Sequence, residues 1–212
     1  MKLPSLIQTL ANRRIGIMLP LGFASGLPLA LTAGTLQAWL TVVGLDLKTI
    51  GIFTLVGLPY ALKFLWAPLM DRVVPPWLGR RRGWMLVMQL GVAIGLAAMA
   101  VTGPGDRPEI LGMLALVVAF LSASLDIVFD AYRTDVLLRP ERGFGAAVWV
   151  NGYRCALLMA SAGALLLAGH IGWQNTYLLL AGLMATGVVT IFLSPEPSEP
   201  CATPASLAEA VG

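Results

Sequence analysis

The chain has 212 residues, 58% hydrophobic and only 12% charged, with a formal net charge of +3 and a mean hydropathy of +0.81. About 25% charged is usual for a soluble globular domain, so that class is excluded, and apolar character spread along most of the length excludes a signal peptide ahead of a secreted domain. The pI near 9.1 does not point to nucleic acid, because the 14 Lys and Arg fall mostly between apolar segments.

A bilayer core of about 30 Å needs roughly 20 helical residues, and an exposed strand edge cannot satisfy its backbone in lipid, so apolar runs of that length predict transmembrane helices. Six such runs occur: Ile15–Val43, Leu47–Met70, Trp84–Thr102, Ile110–Val136, Gly145–Ala168 and Trp173–Leu193. The sequence therefore predicts an all-α polytopic membrane protein. Residues 1–14 form its N-terminus, 15–193 a six-helix transmembrane domain and 194–212 a tail.

The first run is long and carries Pro20, Gly22, Gly26 and Pro28. A tilted or kinked helix lining a pathway is expected, with close helix packing through small residues as the alternative. The fourth run ends in a polar stretch, Asp130–Asp135, expected to emerge at the surface. After Leu193 comes a Ser-Pro-Glu-Pro-Ser-Glu-Pro sequence and a tail of small residues, which reads as a disordered interdomain linker.

Orientation follows from Lys and Arg in the short loops. One side holds Lys2, Arg13, Arg14, Arg72, Arg80, Arg81, Arg82, Arg139 and Arg142; the other holds Lys48 and Arg107. Both termini are expected in the cytoplasm.

GxSxG, HExxH, GxxxxGK[ST] and CxxC patterns are absent from the sequence, and its single histidine, His170, is expected in a short solvated outer loop. Cys155, in an apolar run, and Cys201, in the tail, do not suggest a disulfide. Neither an enzyme nor a metal site is expected.

An ionisable side chain near the bilayer centre costs at least about 2.5–3.5 kcal/mol, which makes each one a candidate functional group. Lys63, Asp126, Asp130 and Arg154 qualify, with Arg133 and Asp135 nearer the end of the fourth run. Ser122, Asp126, Asp130 and Arg133 share one helical face. They form either a static ion-pair network that fixes helix register or a proton-coupling site. In the second reading two carboxylates one turn apart oppose simultaneous ionisation, so that one carries a proton at physiological pH. Lys63 and Arg154 either neutralise these carboxylates or hold an anionic group of a substrate; Arg154 suits bidentate binding of a carboxylate or phosphate.

The second loop, Asp71-Arg72 followed by Gly79-Arg80-Arg81-Arg82-Gly83, resembles the cytoplasmic loop motif of the major facilitator superfamily, lengthened by residues 73–78. The resemblance implies a conformational latch in which Asp71, with Arg72, Arg80 or Arg81, engages Asp135 or Arg133. Longer strings are more specific: LGFASGLPLALTAGTLQAWL from Leu21, KFLWAPLMDR from Lys63, GRRRGW from Gly79, SASLDIVFDAYRTDVL from Ser122, ERGFGAA from Glu141 and NGYR from Asn151. Together they resemble the AmpG-type muropeptide permeases of Gram-negative bacteria.

That resemblance implies proton-driven import of anhydromuropeptides, the GlcNAc-anhydroMurNAc peptides of cell-wall recycling, across the bacterial inner membrane, and a link to β-lactamase induction. No cofactor is implied beyond the proton gradient. Arg154, Lys63, Asn151, Gln37 and Trp39 are compatible with a substrate bearing carboxylates and sugar hydroxyls, although Trp39 also reads as an interfacial anchor. The family has two six-helix halves, each with two inverted three-helix repeats, and this chain resembles the N-terminal half. A fragment lacking its C-terminal half, a homodimerising half-transporter and a membrane sensor of wall fragments are the functional expectations, with an acyl-CoA transporter as a sibling reading.

Overall fold

The computed structural model describes residues 12–195 except 74, 76, 77 and 106; nothing of the Arg80 side chain is described. Most of the N-terminal segment and of the expected linker thus lies outside the described residues. Regular structure among the described residues is helical throughout. Six helices are long and apolar enough to cross a membrane: α1 (Arg13–Val43), α2 (Leu47–Leu65), α3 (Arg81–Thr102), α4 (Pro108–Val136), α5 (Arg139–Ile171) and α6 (Trp173–Leu193). They correspond one to one with the six apolar runs, and α2 is followed by a separate helical stretch, Ala67–Arg72.

Three of these helices are interrupted. In α1 the break falls at Ala33 (φ −113°, ψ −110°), one residue after Thr32, rather than at Pro20 or Pro28. Pro28 lacks an N–H and removes one helical bond without ending the helix, and one turn later, beside the break, Thr32 Oγ1 donates to the Pro28 carbonyl at 2.9 Å. In α5 a π-turn at Met159–Gly163 displaces the regular bonding pattern. The two irregularities meet: Thr35 Oγ1 donates to the Ala160 carbonyl at 2.6 Å. In α2, 3-10 turns at Phe53–Gly57 and Lys63–Leu65 alternate with short α segments, in a sequence that carries Gly51, Gly57 and Pro59.

Gly22 and Gly26 are packing positions. A Cβ on Gly22 would lie 2.3 Å from the Trp149 carbonyl oxygen, and one on Gly26 would lie 2.6 Å from that of Tyr153. From the other side, a Cβ on Gly152 would lie 2.1 Å from the Leu19 carbonyl oxygen. Backbone touches backbone along the α1–α5 seam, which only small residues allow. Of the two readings of these glycines, close packing is the one the structure bears out.

Burial matches between α2 and α5 and between α3 and α6, while α1 is buried more than α4. Only 17% of the most apolar stretch is buried in both α2 and α5, against 44% in α3, α4 and α6 and 67% in α1. Such pairing is what two three-helix repeats produce, and it leaves α2 and α5 with apolar faces uncovered by this chain. The six helices together enclose two apolar clusters. One, at the end holding Arg13 and Leu193 (the near end), contains Met18, Leu21, Met85, Phe129, Tyr132 and Trp149; the other, at the far end, contains Leu27, Leu36, Trp39, Leu96, Met99 and Tyr177. His170 is in the last turn of the helix Ala164–Ile171 rather than in a loop, with its Nδ1 2.9 Å from the Leu166 carbonyl oxygen.

Candidate functional site

Between the two apolar clusters lies a thin polar layer. Asp126 of α4 occupies it, mostly enclosed, and accepts a 2.6 Å hydrogen bond at Oδ1 from the Ser25 hydroxyl of α1. Ser25 is itself buried, 4% exposed. The charges of Lys63 on α2 and Asp130 on α4 act on the carboxylate, and Tyr153 of α5 stands close enough to feel it. The α1–α5 glycines bring the Tyr153 backbone against α1 beside Ser25.

One turn toward the near end the chemistry changes. Asp130 is 54% exposed, accepts from Arg133 at 3.0 Å and lies 4.0 Å from Lys63 Nζ. The Arg133 guanidinium also rests over the Trp149 ring, 5.4 Å from its centroid. Ion pairs this open to water are worth little, roughly 0–1 kcal/mol. The two carboxylates therefore differ in kind: Asp130 is compensated by cations in a half-open cluster, whereas the nearest donor to Asp126 is a neutral hydroxyl. A mostly enclosed carboxylate without a cation in direct contact is suited to gaining and losing a proton.

The loop motif assembles a second charged cluster at the near end. Arg81 Nε donates to Asp135 Oδ2 at 2.9 Å and its Nη1 donates to Asp71, so one guanidinium ties α4 to the end of the stretch that follows α2. Its side chain is 13% exposed. Arg133 is not in this group, being held by Asp130 and Trp149, and Arg72 is exposed. Arg82 donates to the carbonyls of Ile191 and Phe192, and Arg13 to that of Leu193, placing cations on the C-terminal carbonyls of α6.

The remaining candidates are dispersed. Arg154 is exposed on α5 and makes no ion pair among the described residues. Asn151, one turn before it, is exposed and donates back to the Ala147 carbonyl at 2.8 Å. Gln37 is partly exposed beyond the Ala33 break. Trp39 is 4% exposed, stacked 5.9 Å from Trp173 and packed 4.8 Å from Tyr177, so neither ring face is presented to a ligand. It is a core residue of the far end.

Residues 9–210 match the Major Facilitator Superfamily. The chain belongs to the major facilitator superfamily. It is 53% identical over 199 residues to the anhydromuropeptide permease of Escherichia coli strain K12, a match covering 93% of this chain and 40% of that protein. It is 42% identical to an uncharacterized protein of Haemophilus influenzae, covering 91% of this chain and 46% of that one. A Rickettsia felis protein carrying the transporter name AmpG 4 is 36% identical, with 82% and 42% covered. The chain thus spans less than half the length of these superfamily relatives.

Ser25, Thr35, Trp149 and Gln89 are functional or structural anchors that sequence reasoning does not single out. Ser25 stands between Gly22 and Gly26 on a close-packed seam, where a serine carries no cost that would mark it. The partners of Thr35 and Gln89 are backbone carbonyls of other helices, Ala160 and Met184, which leave no sequence signal.

Proposed function

We propose that the chain is one six-helix half of a proton-coupled importer of anhydromuropeptides, set in the bacterial inner membrane with its near end and both termini in the cytoplasm. The observation that carries the coupling part is Asp126, enclosed at the middle of the bundle with Ser25 as its direct donor and Lys63 and Tyr153 in its surroundings. Its substrate class is supported by the anhydromuropeptide permease of Escherichia coli, 53% identical across 93% of this chain. The excess of Lys and Arg at the near end supports the orientation.

In this reading Asp126 takes a proton from the periplasmic side and releases it to the cytoplasm, with Asp130, Lys63 and Arg133 as the half-open ionic exit. Exposed Arg154, with Asn151 beside it, is suited to a substrate carboxylate. The uncovered faces of α2 and α5 offer a surface for a covering body, either a second six-helix half or a second copy of this chain, against which the bundle rocks. The Arg81 cluster latches the cytoplasmic end.

The test is uptake of radiolabelled GlcNAc-anhydroMurNAc-tripeptide into right-side-out vesicles containing this chain, with and without an imposed proton gradient and beside a full-length relative. Gradient-dependent uptake supports a self-assembling importer. Absence of uptake, restored by co-expressing the remaining half of the relative, supports a partner-dependent half. Ligand binding without flux under both conditions overturns the transport reading in favour of a sensor.

A further inference from the structure

On the far side of Asp126 the polar layer contains groups that take no part in the Ser25–Asp126 bond or the ionic clusters. Ser122 is one turn before Asp126 on the same face of α4, roughly 6 Å along the helix axis. It is fully buried, and its hydroxyl has no hydrogen-bond partner among the described residues. The Tyr60 hydroxyl of α2 is buried beside it, close to the Ser122 and Thr32 hydroxyls, and makes no well-aligned hydrogen bond among the described residues. The Thr32 hydroxyl is engaged as a donor to Pro28, which leaves it an acceptor. Two buried, unpaired hydroxyls facing one another from different helices are costly unless something shared satisfies both.

The polar groups around these two hydroxyls suit a water. Tyr60 and Ser122 each offer one donor and acceptor lone pairs, Thr32 offers an acceptor, and Asp126 lies one turn away with Oδ1 engaged by Ser25 and Oδ2 open. A water needs two to four polar partners, and here it has them. The titratable groups whose charge acts on Tyr60 or on Asp126 are Asp126 and Asp130 of α4, Lys63 of α2 and Tyr153 of α5, while α1 contributes the neutral Ser25 and Thr32.

We propose that Tyr60 and Ser122 form a buried water-binding site on the far side of Asp126, through which a proton reaches that carboxylate. The site deepens the coupling role given to Asp126 and rests on it. A protonated water held by Tyr60 and Ser122 passes its proton to Oδ2 of Asp126 and is left neutral. Neither hydroxyl is ionised; each orients the water by donating to it or accepting from it. Polar groups then cross the middle of the bundle in sequence: Thr32, Tyr60 and Ser122, then Ser25 and Asp126, then the open Lys63–Asp130–Arg133 cluster.

Radiolytic hydroxyl-radical labelling of the full chain in liposomes tests the water directly, because radicals formed from bound water oxidise buried side chains beside it. Tyr177 is the internal control, buried and donating to the Leu31 carbonyl. Because the Tyr60 side chain is partly exposed whereas Tyr177 is buried, the readout is the slowly exchanging component alone: Tyr60 should incorporate oxygen from slowly exchanging H₂¹⁸O at least about fivefold more than Tyr177, and Ser122→Ala should reduce that component. Equal labelling of the two tyrosines overturns the site. Vesicle uptake tests the proton role: Tyr60→Phe and Ser122→Ala should lower the ratio of gradient-driven uptake to equal-pH counterflow about tenfold. An unchanged ratio overturns that role. If the wild-type chain, supplied with its covering half, shows no gradient-driven uptake, the importer reading falls and the proton role falls with it, while labelling of Tyr60 still decides whether the water is bound.

Discussion

Ser25 donates to Asp126 at 2.6 Å across the α1–α4 interface, and this bond joins the layer of the bundle in which polar side chains replace the apolar clusters above and below. A carboxylate held by a hydroxyl rather than by a cation remains able to accept a proton, since nothing adjacent fixes its charge. Asp126→Asn should lower gradient-driven uptake about 10²-fold, and Ser25→Ala about tenfold, with equal-pH counterflow less affected. Gradient-driven uptake at wild-type level in Asp126→Asn would remove Asp126 from the coupling site.

The α1–α5 seam sets how accurately that layer is built. A Cβ on Gly152 would lie 2.1 Å from a backbone oxygen of Leu19, which cannot rotate away as a side chain would. Gly152→Ala should destabilise the bundle by about 2–3 kcal/mol, read as a fall in the thermal midpoint of detergent-solubilised protein. At Gly182 of α6 an added methyl would meet nothing within 4 Å, so Gly182→Ala should be neutral or stabilise by up to about 1 kcal/mol through helix propensity. Equal effects at the two glycines would mean that the seam is looser than these distances require.

The number of helices was legible because lipid permits few alternatives: an apolar run of about 20 residues between charges has to span. Trp173–Leu193 agrees to the residue, and the largest boundary shifts, in α2 and α5, come from turns that hydropathy does not register. The break at Ala33 was not legible, since Pro20 and Pro28 suggested other places and the helix runs through both. Asp126 could be found from cost alone; Ser25 could not, because a serine between glycines costs nothing. The loop motif identified Asp71, Arg81 and Asp135 as a group, while Arg133 is drawn away by Asp130 and the Trp149 ring, contacts that depend on tertiary placement.

Trp39 separates a binding role from a packing role. It is stacked on Trp173 and against Tyr177 with 4% of its surface exposed. Trp39→Ala should cost about 3–5 kcal/mol of stability, whereas Trp39→Phe should retain much of the packing and leave substrate affinity within about twofold. A large loss of affinity in Trp39→Phe at unchanged thermal midpoint would return this residue to the substrate site.

Asp46 gives the first turn of α2 a pH dependence. Its side chain accepts from the Thr49 N–H at 3.2 Å, and hydrogen bonding from Thr49 holds the carboxyl below the ordinary aspartate range. A lowered folded-state value means that the cap's contribution is present above the unfolded value, about 3.9, and is lost as pH falls through the folded one. Amide exchange around Thr49, compared with its intrinsic rate at each pH, should lose protection below about pH 4. In Asp46→Ala protection there should be low at every pH. Wild-type protection that persists unchanged to pH 2 would show that the cap does not hold this turn.

Arg81 bridges two carboxylates on separate elements, and the consequences of removing it follow from what it leaves behind. Arg81→Ala places Asp71 and Asp135 near one another without their shared cation, at a site where the guanidinium is 13% exposed. The loss should be about 2 kcal/mol, larger than for an ordinary surface pair, because the residual cost is repulsion and desolvation of two acids. Arg81→Lys should recover only part of it, since a point charge cannot engage both carboxylates with the fork geometry seen for Nε and Nη1. Asp71→Asn or Asp135→Asn combined with Arg81→Ala should restore much of the thermal midpoint by removing one of the opposed charges. Restoration of midpoint without restoration of uptake would separate a latching function from simple stability, whereas recovery of both together would make the cluster structural alone.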